Sequence, residues 1–299
     1  MAAGGAGGIV EGKTIVFQNG LLAGKRILVT GGGTGLGASM GQRFLELGAE
    51  LVICGRRAQV LEETAARMMR ETGGKVLAVP CDVRDATAVE AMMDTIWQSG
   101  PLDALVNNAA GNFIAETHKL SPRAIDAILN TVLHGSAYCT VAAGRRWIDA
   151  GRRNCCVLSI LTLSALKGAA FRAPSAMAKA GALAMIRSLA VEWGPKGIRT
   201  VAIAPGPFPT AGASQRLTPG GSEPVVGREI PLGRNGEHIE LANLASFLLS
   251  DMAGYINGEC VVIDGGKQLM SDAGSRTHEL MGWTDADWER MRQQATGKR

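Results

Sequence analysis

The apolar run Arg26-Ile27-Leu28-Val29-Thr30 passes directly into Gly31-Gly32-Gly33-Thr34-Gly35-Leu36-Gly37, and a helical pattern follows from about Ala38 to Leu47. This juncture restricts the chain more than any other feature. Glycine serves where a backbone must turn sharply or come close to a ligand. At the start of a helix such a turn suits a pyrophosphate, because free N–H groups and the helix dipole favour negative charge there. A glycine-rich turn without a ligand is the plain alternative. The strand before it and the helix after it favour the nucleotide, with Gly31, Gly33, Thr34, Gly35 and Leu36 as its expected contacts.

The same alternation continues. Strands are expected at Glu50–Cys54, Lys75–Val79 and Ala104–Asn107, and later at 155–159, 198–203 and 259–263, with helices over about 58–72 and 86–98. Helical patterns between successive strands mean βαβ units and a parallel sheet. Continuous Val, Ile and Leu runs suit strands buried on both faces. The expected fold is α/β: a doubly wound, mostly seven-stranded parallel sheet in one domain. A chain of 299 residues accommodates this. Residues 1–22 are expected to be an N-terminal extension, 23–267 the domain, and 268–299 a helical tail. Six prolines between 205 and 236 mark a flap on the substrate side.

Composition excludes several classes. The net charge of +4 is too small to argue for a polyanion binder, and the basic residues are dispersed, so no nucleic-acid partner is expected. Hydrophobic residues at 46% exclude extended disorder. No apolar run reaches the roughly 18 residues of a membrane span. Six cysteines without a C-x-x-C spacing suggest buried, reduced thiols in a cytoplasmic protein, with no metal site. The first eight residues lack the charged and apolar regions of a secretory signal.

The end of the second strand bears on the choice of nucleotide. An NAD site places a carboxylate there for the ribose hydroxyls. This chain reads Cys54-Gly55-Arg56-Arg57, and Glu50 lies too early in the strand. Two guanidiniums suit a 2′-phosphate, so NADPH is the expected cofactor. A solvated pair at a helix start is the alternative.

The glycine pattern from Thr30 to Gly37, Asn107-Asn108-Ala109-Ala110-Gly111, Lys179, Pro205-Gly206 and Asp264-Gly265-Gly266 together resemble the short-chain dehydrogenase/reductase family over about residues 23–267. The resemblance implies a nicotinamide cofactor and a homotetramer. It also implies cofactor contacts at Asp82, Val83, Asn108, Ala109, Lys179, Pro205 and Gly206.

The family's usual Tyr-x-x-x-Lys does not occur. Four residues after Tyr138 and Tyr255 stand Ala142 and Glu259, and the residue four before Lys179 is Ser175. An unactivated serine is a poor acid or base for ordinary alcohol dehydrogenation. The segments Ala110–Ile114, Pro174–Gly181, Gly206-Pro207 and Gly212–Pro219 resemble one branch, the 2,4-dienoyl-CoA reductases. That resemblance implies reduction of a conjugated acyl-CoA. Ser175 would donate to the thioester oxygen, and Lys179 would hold the nicotinamide ribose.

In this branch the mitochondrial type has Asn where this chain has His134 and Tyr where it has Ser164. The peroxisomal type has a carboxylate where this chain has Val132. His134 is therefore a candidate acid, the alternative being a satisfied structural histidine. Ser164, with Thr162, is a candidate for positioning a water. Asn112 and Phe113 are candidate acyl contacts, and Arg216 a candidate CoA contact. Lys119, Arg123 and Arg172 are better read as a solvated face. Two other activities fit the same pocket: a carbonyl reductase using His134, and a nucleotide-binding protein without turnover.

Overall fold

The computed structural model describes residues 9–10, 13–14, 17, 19–210, 229–272 and 275–295. Seven strands form one parallel sheet: β1 (Arg26–Thr30), β2 (Glu50–Gly55), β3 (Val76–Pro80), β4 (Ala104–Asn107), β5 (Cys155–Ile160), β6 (Ile198–Pro205) and β7 (Cys260–Ile263). Their order is β3-β2-β1-β4-β5-β6-β7. The direction of winding reverses between β1 and β4, and a crevice opens there at the carboxyl ends of the strands.

Period-two alternation sends successive side chains of each strand to opposite cores. Ile27 and Val29 of β1, with Leu51 and Ile53 of β2, join one core. Helices α1 (Gly35–Glu46) and α2 (Ala58–Thr72) supply Met40, Phe44 and Leu61 to it. Leu28, Val52 and Val157 join the other, against Met93 and Ile96 of α3 (Ala86–Gln98). Two burying faces explain why the strands read as unbroken apolar runs. The described helices include none long and apolar enough to cross a membrane.

Side-chain caps fix some ends. Asp85 accepts from the backbone N–H groups of Thr87 and Ala88 at the start of α3. Gly73 closes α2 in the left-handed region at φ +69°. Helix α1 begins at Gly35, three residues before the expected start.

Helix α4 (Pro122–Leu129) continues through a π-type turn, Asn130–His134, into α5 (Gly135–Asp149). Such insertions are frequent at functional sites. A short helix α6 (Ser164–Lys167) precedes α7 (Ala173–Trp193). Helix α8 (His238–Leu249) returns the chain to β7, and α9 (Lys267–Asp272), α10 (Ser275–Leu280) and α11 (Asp285–Ala295) form the tail. Residues 211–228 of the expected flap, Arg216 among them, lie outside the described residues.

Helices α5 and α7 meet at Gly144, where a Cβ would lie 2.3 Å from the Trp193 ring. Trp193 is buried and has little room to retreat. Gly144→Ala is expected to lower unfolding stability by about 1–3 kcal/mol, read as a lower urea midpoint at unchanged slope.

Candidate active site

The nucleotide turn is built from backbone contacts too close for other residues. The Gly31 N–H donates to the Cys54 carbonyl at 2.8 Å. A Cβ on Gly37 would lie 2.5 Å from both the Asn108 amide nitrogen and the Gly31 carbonyl oxygen. Thr30 Oγ1 accepts from the N–H groups of Asn108 and Ala109, each at 3.0 Å, and Asn108 Nδ2 donates to the Thr30 carbonyl at 2.9 Å. The turn after β1 is thereby locked to the loop after β4. Thr64 Oγ1 donates to the Gly33 carbonyl at 2.9 Å and ties the turn to α2.

Helix α1 starts without a side-chain cap. Thr34 is extended, no side-chain hydrogen bond caps the terminus, and the first turn holds no acid. Its leading N–H groups can therefore receive an anion. Arg56 and Arg57 are exposed, and neither has an ion-pair or hydrogen-bond partner among the described residues. Arg57 occupies the N-cap of α2, whose first turn is also free of acids. Two cations at the positive end of a helix are unfavourable until an anion joins them. These features fit a dinucleotide, its pyrophosphate at α1 and further negative charge at α2.

Just past the end of β3, Asp82 accepts from Arg84 Nε at 2.9 and 3.0 Å. This fork, with help from Arg56, holds the Asp82 carboxyl below its ordinary range. Sequence reasoning did not single out Arg84; its spacing two residues after Asp82 was the available signal. Val83 is buried against Gly135, where a Cβ would lie 2.7 Å from Cγ2 of Val83.

At the other end of the crevice, Ser175 and Lys179 sit one turn apart on α7, 4% and 5% exposed. Lys179 Nζ donates to the Ile160 carbonyl at the end of β5. Burial pushes its pKa down to about 8. Among the described residues the Ser175 hydroxyl has no hydrogen-bond partner, so its donor is available to a ligand. Ser164 Oγ lies 2.5 Å from Thr162 Oγ1, so each hydroxyl engages the other.

His134 is exposed on the π-type turn, with Nδ1 2.8 Å from Asn130 Oδ1. An amide oxygen only accepts, so Nδ1 carries a proton and Nε2 is the nitrogen left for proton exchange. No hydrogen bond joins His134 to Ser164, Ser175 or Lys179.

The loop after β4 divides its side chains. Asn112 Oδ1 accepts from the Phe113 N–H at 2.9 Å. Phe113 packs on a small cluster of Ile128, Val132 and Ala178 and is only partly exposed. The Ala115 N–H donates to the Phe171 carbonyl at 3.0 Å, strapping this loop to the one that enters α7. Lys119 pairs with Glu116, whereas Arg123 and Arg172 are exposed.

Pro205 ends β6 opposite Ile263, and Gly206 follows at a point where a Cβ would lie 2.7 Å from the Asp264 side chain. Beyond it, His238 Nε2 is 2.8 Å from the Pro209 carbonyl and Nδ1 is 2.8 Å from Ser39 Oγ. This bridge, unread in the sequence, links the exit from β6 to α1.

Comparison with known proteins agrees with this architecture. Residues 31–268 match the family model described as Enoyl-(Acyl carrier protein) reductase. An uncharacterized oxidoreductase of Caenorhabditis elegans is 43% identical over 93% of this chain and 90% of its own length. A Bacillus subtilis protein named probable 2,4-dienoyl-CoA reductase, (2E)-enoyl-CoA-producing, is 43% identical over 82% of this chain and 97% of its own. The crystal structure of a short chain dehydrogenase from Bacillus anthracis superposes with a TM-score of 0.72 at 40% identity, covering 81% of this chain and 96% of that one. The chain thus belongs to the short-chain dehydrogenase/reductase family of oxidoreductases.

Proposed function

We propose that this protein reduces a conjugated unsaturated acyl-CoA, a 2,4-dienoyl-CoA, with NADPH as the hydride source. The observation that carries this is Ser175, a buried hydroxyl with a free donor one turn from a buried lysine, where the family's usual site has a tyrosine. Carbonyl reduction must place a proton on oxygen, which demands a good acid. Conjugate reduction leaves negative charge on the thioester oxygen and protonates a carbon. A hydrogen-bond donor suffices at the oxygen, so a serine is adequate there. The name of the Bacillus subtilis relative supports the same substrate class.

When bound, the nicotinamide supplies the hydride. Lys179, fixed by the Ile160 carbonyl, would hold the nicotinamide ribose and lend positive charge to the thioester. Ser175 donates to the thioester oxygen as the dienolate forms. The carbon would then take a proton drawn from solvent, passed on by His134 Nε2 after that nitrogen has taken it up from water, or by a water held by the Thr162–Ser164 pair. Arg56 and Arg57, at the start of α2, would hold the 2′-phosphate.

The direct test follows NADPH absorbance with 2,4-hexadienoyl-CoA and 2,4-decadienoyl-CoA and weighs the product. A saturable rate with a gain of two hydrogens is expected; no turnover of either, with NADPH bound, would sink the reading. Ser175→Ala is expected to lower kcat by about 10²-fold, the usual size for loss of one oxyanion donor. An unchanged kcat removes Ser175 from the mechanism.

Replacing both Arg56 and Arg57 by Ala is expected to raise the Kd of NADPH about 10–100-fold and that of NADH less than about threefold. Titration by fluorescence decides this, and equal losses would refute the 2′-phosphate assignment.

Lys179 also predicts a pH dependence. Its pKa is about 8 in the folded chain against 10.5 ordinarily. Between those values the unfolded chain binds the extra proton, so this lysine's contribution to stability rises with pH. Buried thiols such as Cys81 and Cys260, both pushed up to about 11, act in the opposite direction. The informative quantity is the stability of wild type minus that of Lys179→Met. It should become more positive between pH 8 and pH 10, by urea unfolding without nucleotide. A flat difference means the lysine is not desolvated.

A further inference from the structure

We propose that Phe171, together with Ile114 across the strap, is the apolar contact that reads the length of the acyl chain. This rests on the acyl-CoA reading above and names the residues that set its chain-length preference.

Phe171 and Asn154 are the two non-glycine residues with positive φ among those described, at +60° and +59°. Asparagine tolerates this region, whereas a bulky aromatic residue there is strained. Local backbone chemistry therefore argues for Gly or Asn at position 171. Packing does not explain the phenylalanine either, because the residue is 59% exposed. A strained backbone that displays an apolar ring to solvent points to use of that ring.

The placement fits that use. The Phe171 carbonyl accepts from the Ala115 N–H, so the loops after β4 and β5 are held together at this residue. Ile114, next to Ala115, is 41% exposed. Phe171 lies four residues before Ser175, on the segment that enters α7. A thioester held at Ser175 has a polar end fixed and an apolar chain to place. The Phe171–Ile114 pair offers exposed apolar surface on two strapped loops, one of which leads into the helix that carries Ser175. Neighbouring Phe113 is committed to the cluster of Ile128, Val132 and Ala178 and is less available.

An apolar contact reads length because each buried methylene adds about fourfold to affinity. The test uses NADP+-loaded protein and the unreactive probes hexanoyl-CoA and decanoyl-CoA, with affinities from calorimetry. In wild type, decanoyl-CoA is expected to bind at least about tenfold more tightly. Phe171→Asn removes the ring and suits the left-handed backbone. It is expected to shrink that preference at least about fivefold, mainly by weakening decanoyl-CoA. Ile114→Ser, on the other loop, is expected to act in the same direction and covers the case in which Phe171→Asn fails to fold.

A preference unchanged in both variants would overturn the proposal. So would equal weakening of the two probes, which marks a structural role for the ring. The reaction reading is judged separately by dienoyl-CoA turnover. Chain-length-dependent binding that Phe171→Asn abolishes, in a wild type that turns over no dienoyl-CoA, keeps the clamp and discards the reaction. Turnover with unaltered chain preference does the reverse. A wild type that binds neither probe discards the clamp and leaves the reaction to the turnover assay.

Discussion

The double acceptance by Thr30 Oγ1 is the contact on which the crevice depends. One hydroxyl at the end of β1 receives the N–H groups of Asn108 and Ala109, and Asn108 returns a bond to the Thr30 carbonyl. These bonds join the two strands at which the winding of the sheet reverses. Without them the two loops would separate and leave buried backbone groups unpaired, a cost of about 1–3 kcal/mol each. With them the glycine turn is held close enough to Asn108 that Gly37 cannot carry a side chain. The helix that follows can then present bare N–H groups toward the crevice. A nucleotide site of this kind is made mostly of backbone, and its side chains serve to pin that backbone in place.

Lys179 shows the complementary strategy at the reactive end. A buried ammonium is expensive unless its donors are satisfied. Here the Ile160 carbonyl takes one donor, and no carboxylate among the described residues neutralises the charge. The site is electrostatically incomplete among those residues, and a ligand oxygen would relieve it. The arginines at α2 follow the same logic at the surface, where cations gather at the positive end of a helix. Both ends of the crevice thus favour oxygen-rich, negatively charged ligands, although the whole chain carries a net charge of only +4.

The sheet was legible in the sequence because burial on both faces leaves unbroken apolar runs: Ile27 to Val29, Leu51 to Cys54 and Leu105 to Val106 are all buried. The glycine turn after β1 was legible because its spacing of glycines sits between a strand and a helix. The Ser175–Lys179 pair was legible as an i, i+4 relation on one helix face. Other features needed three dimensions. The π-type turn carries no residue signature, since Asn130-Thr131-Val132-Leu133-His134 suits an ordinary helix equally well. The Arg84 fork on Asp82 and the bridge from Ser39 through His238 to Pro209 join side chains that sequence spacing does not select. Phe171 was hidden for the opposite reason: local rules favour glycine or asparagine at its φ, so the sequence gives no hint of that conformation.

The serine at position 175 connects these observations to chemistry. A phenol in a reductase both donates a hydrogen bond and surrenders a proton. A serine hydroxyl does the first well and the second poorly, because its own acidity is far from neutrality. A site that keeps the lysine but uses serine has therefore separated stabilisation of oxygen charge from proton delivery. That separation costs little when the proton goes to carbon, several bonds from the oxygen, and it would be crippling when the proton goes to the oxygen itself. The geometry agrees with this division. Ser175 and Lys179 are buried together on one helix, whereas the titratable His134 stands apart on an exposed turn with one nitrogen free. On the proposed reading, charge stabilisation would occupy the dry end of the site and proton exchange the wet end. The order suits a conjugated thioester, whose charge must be sheltered before its carbon is protonated.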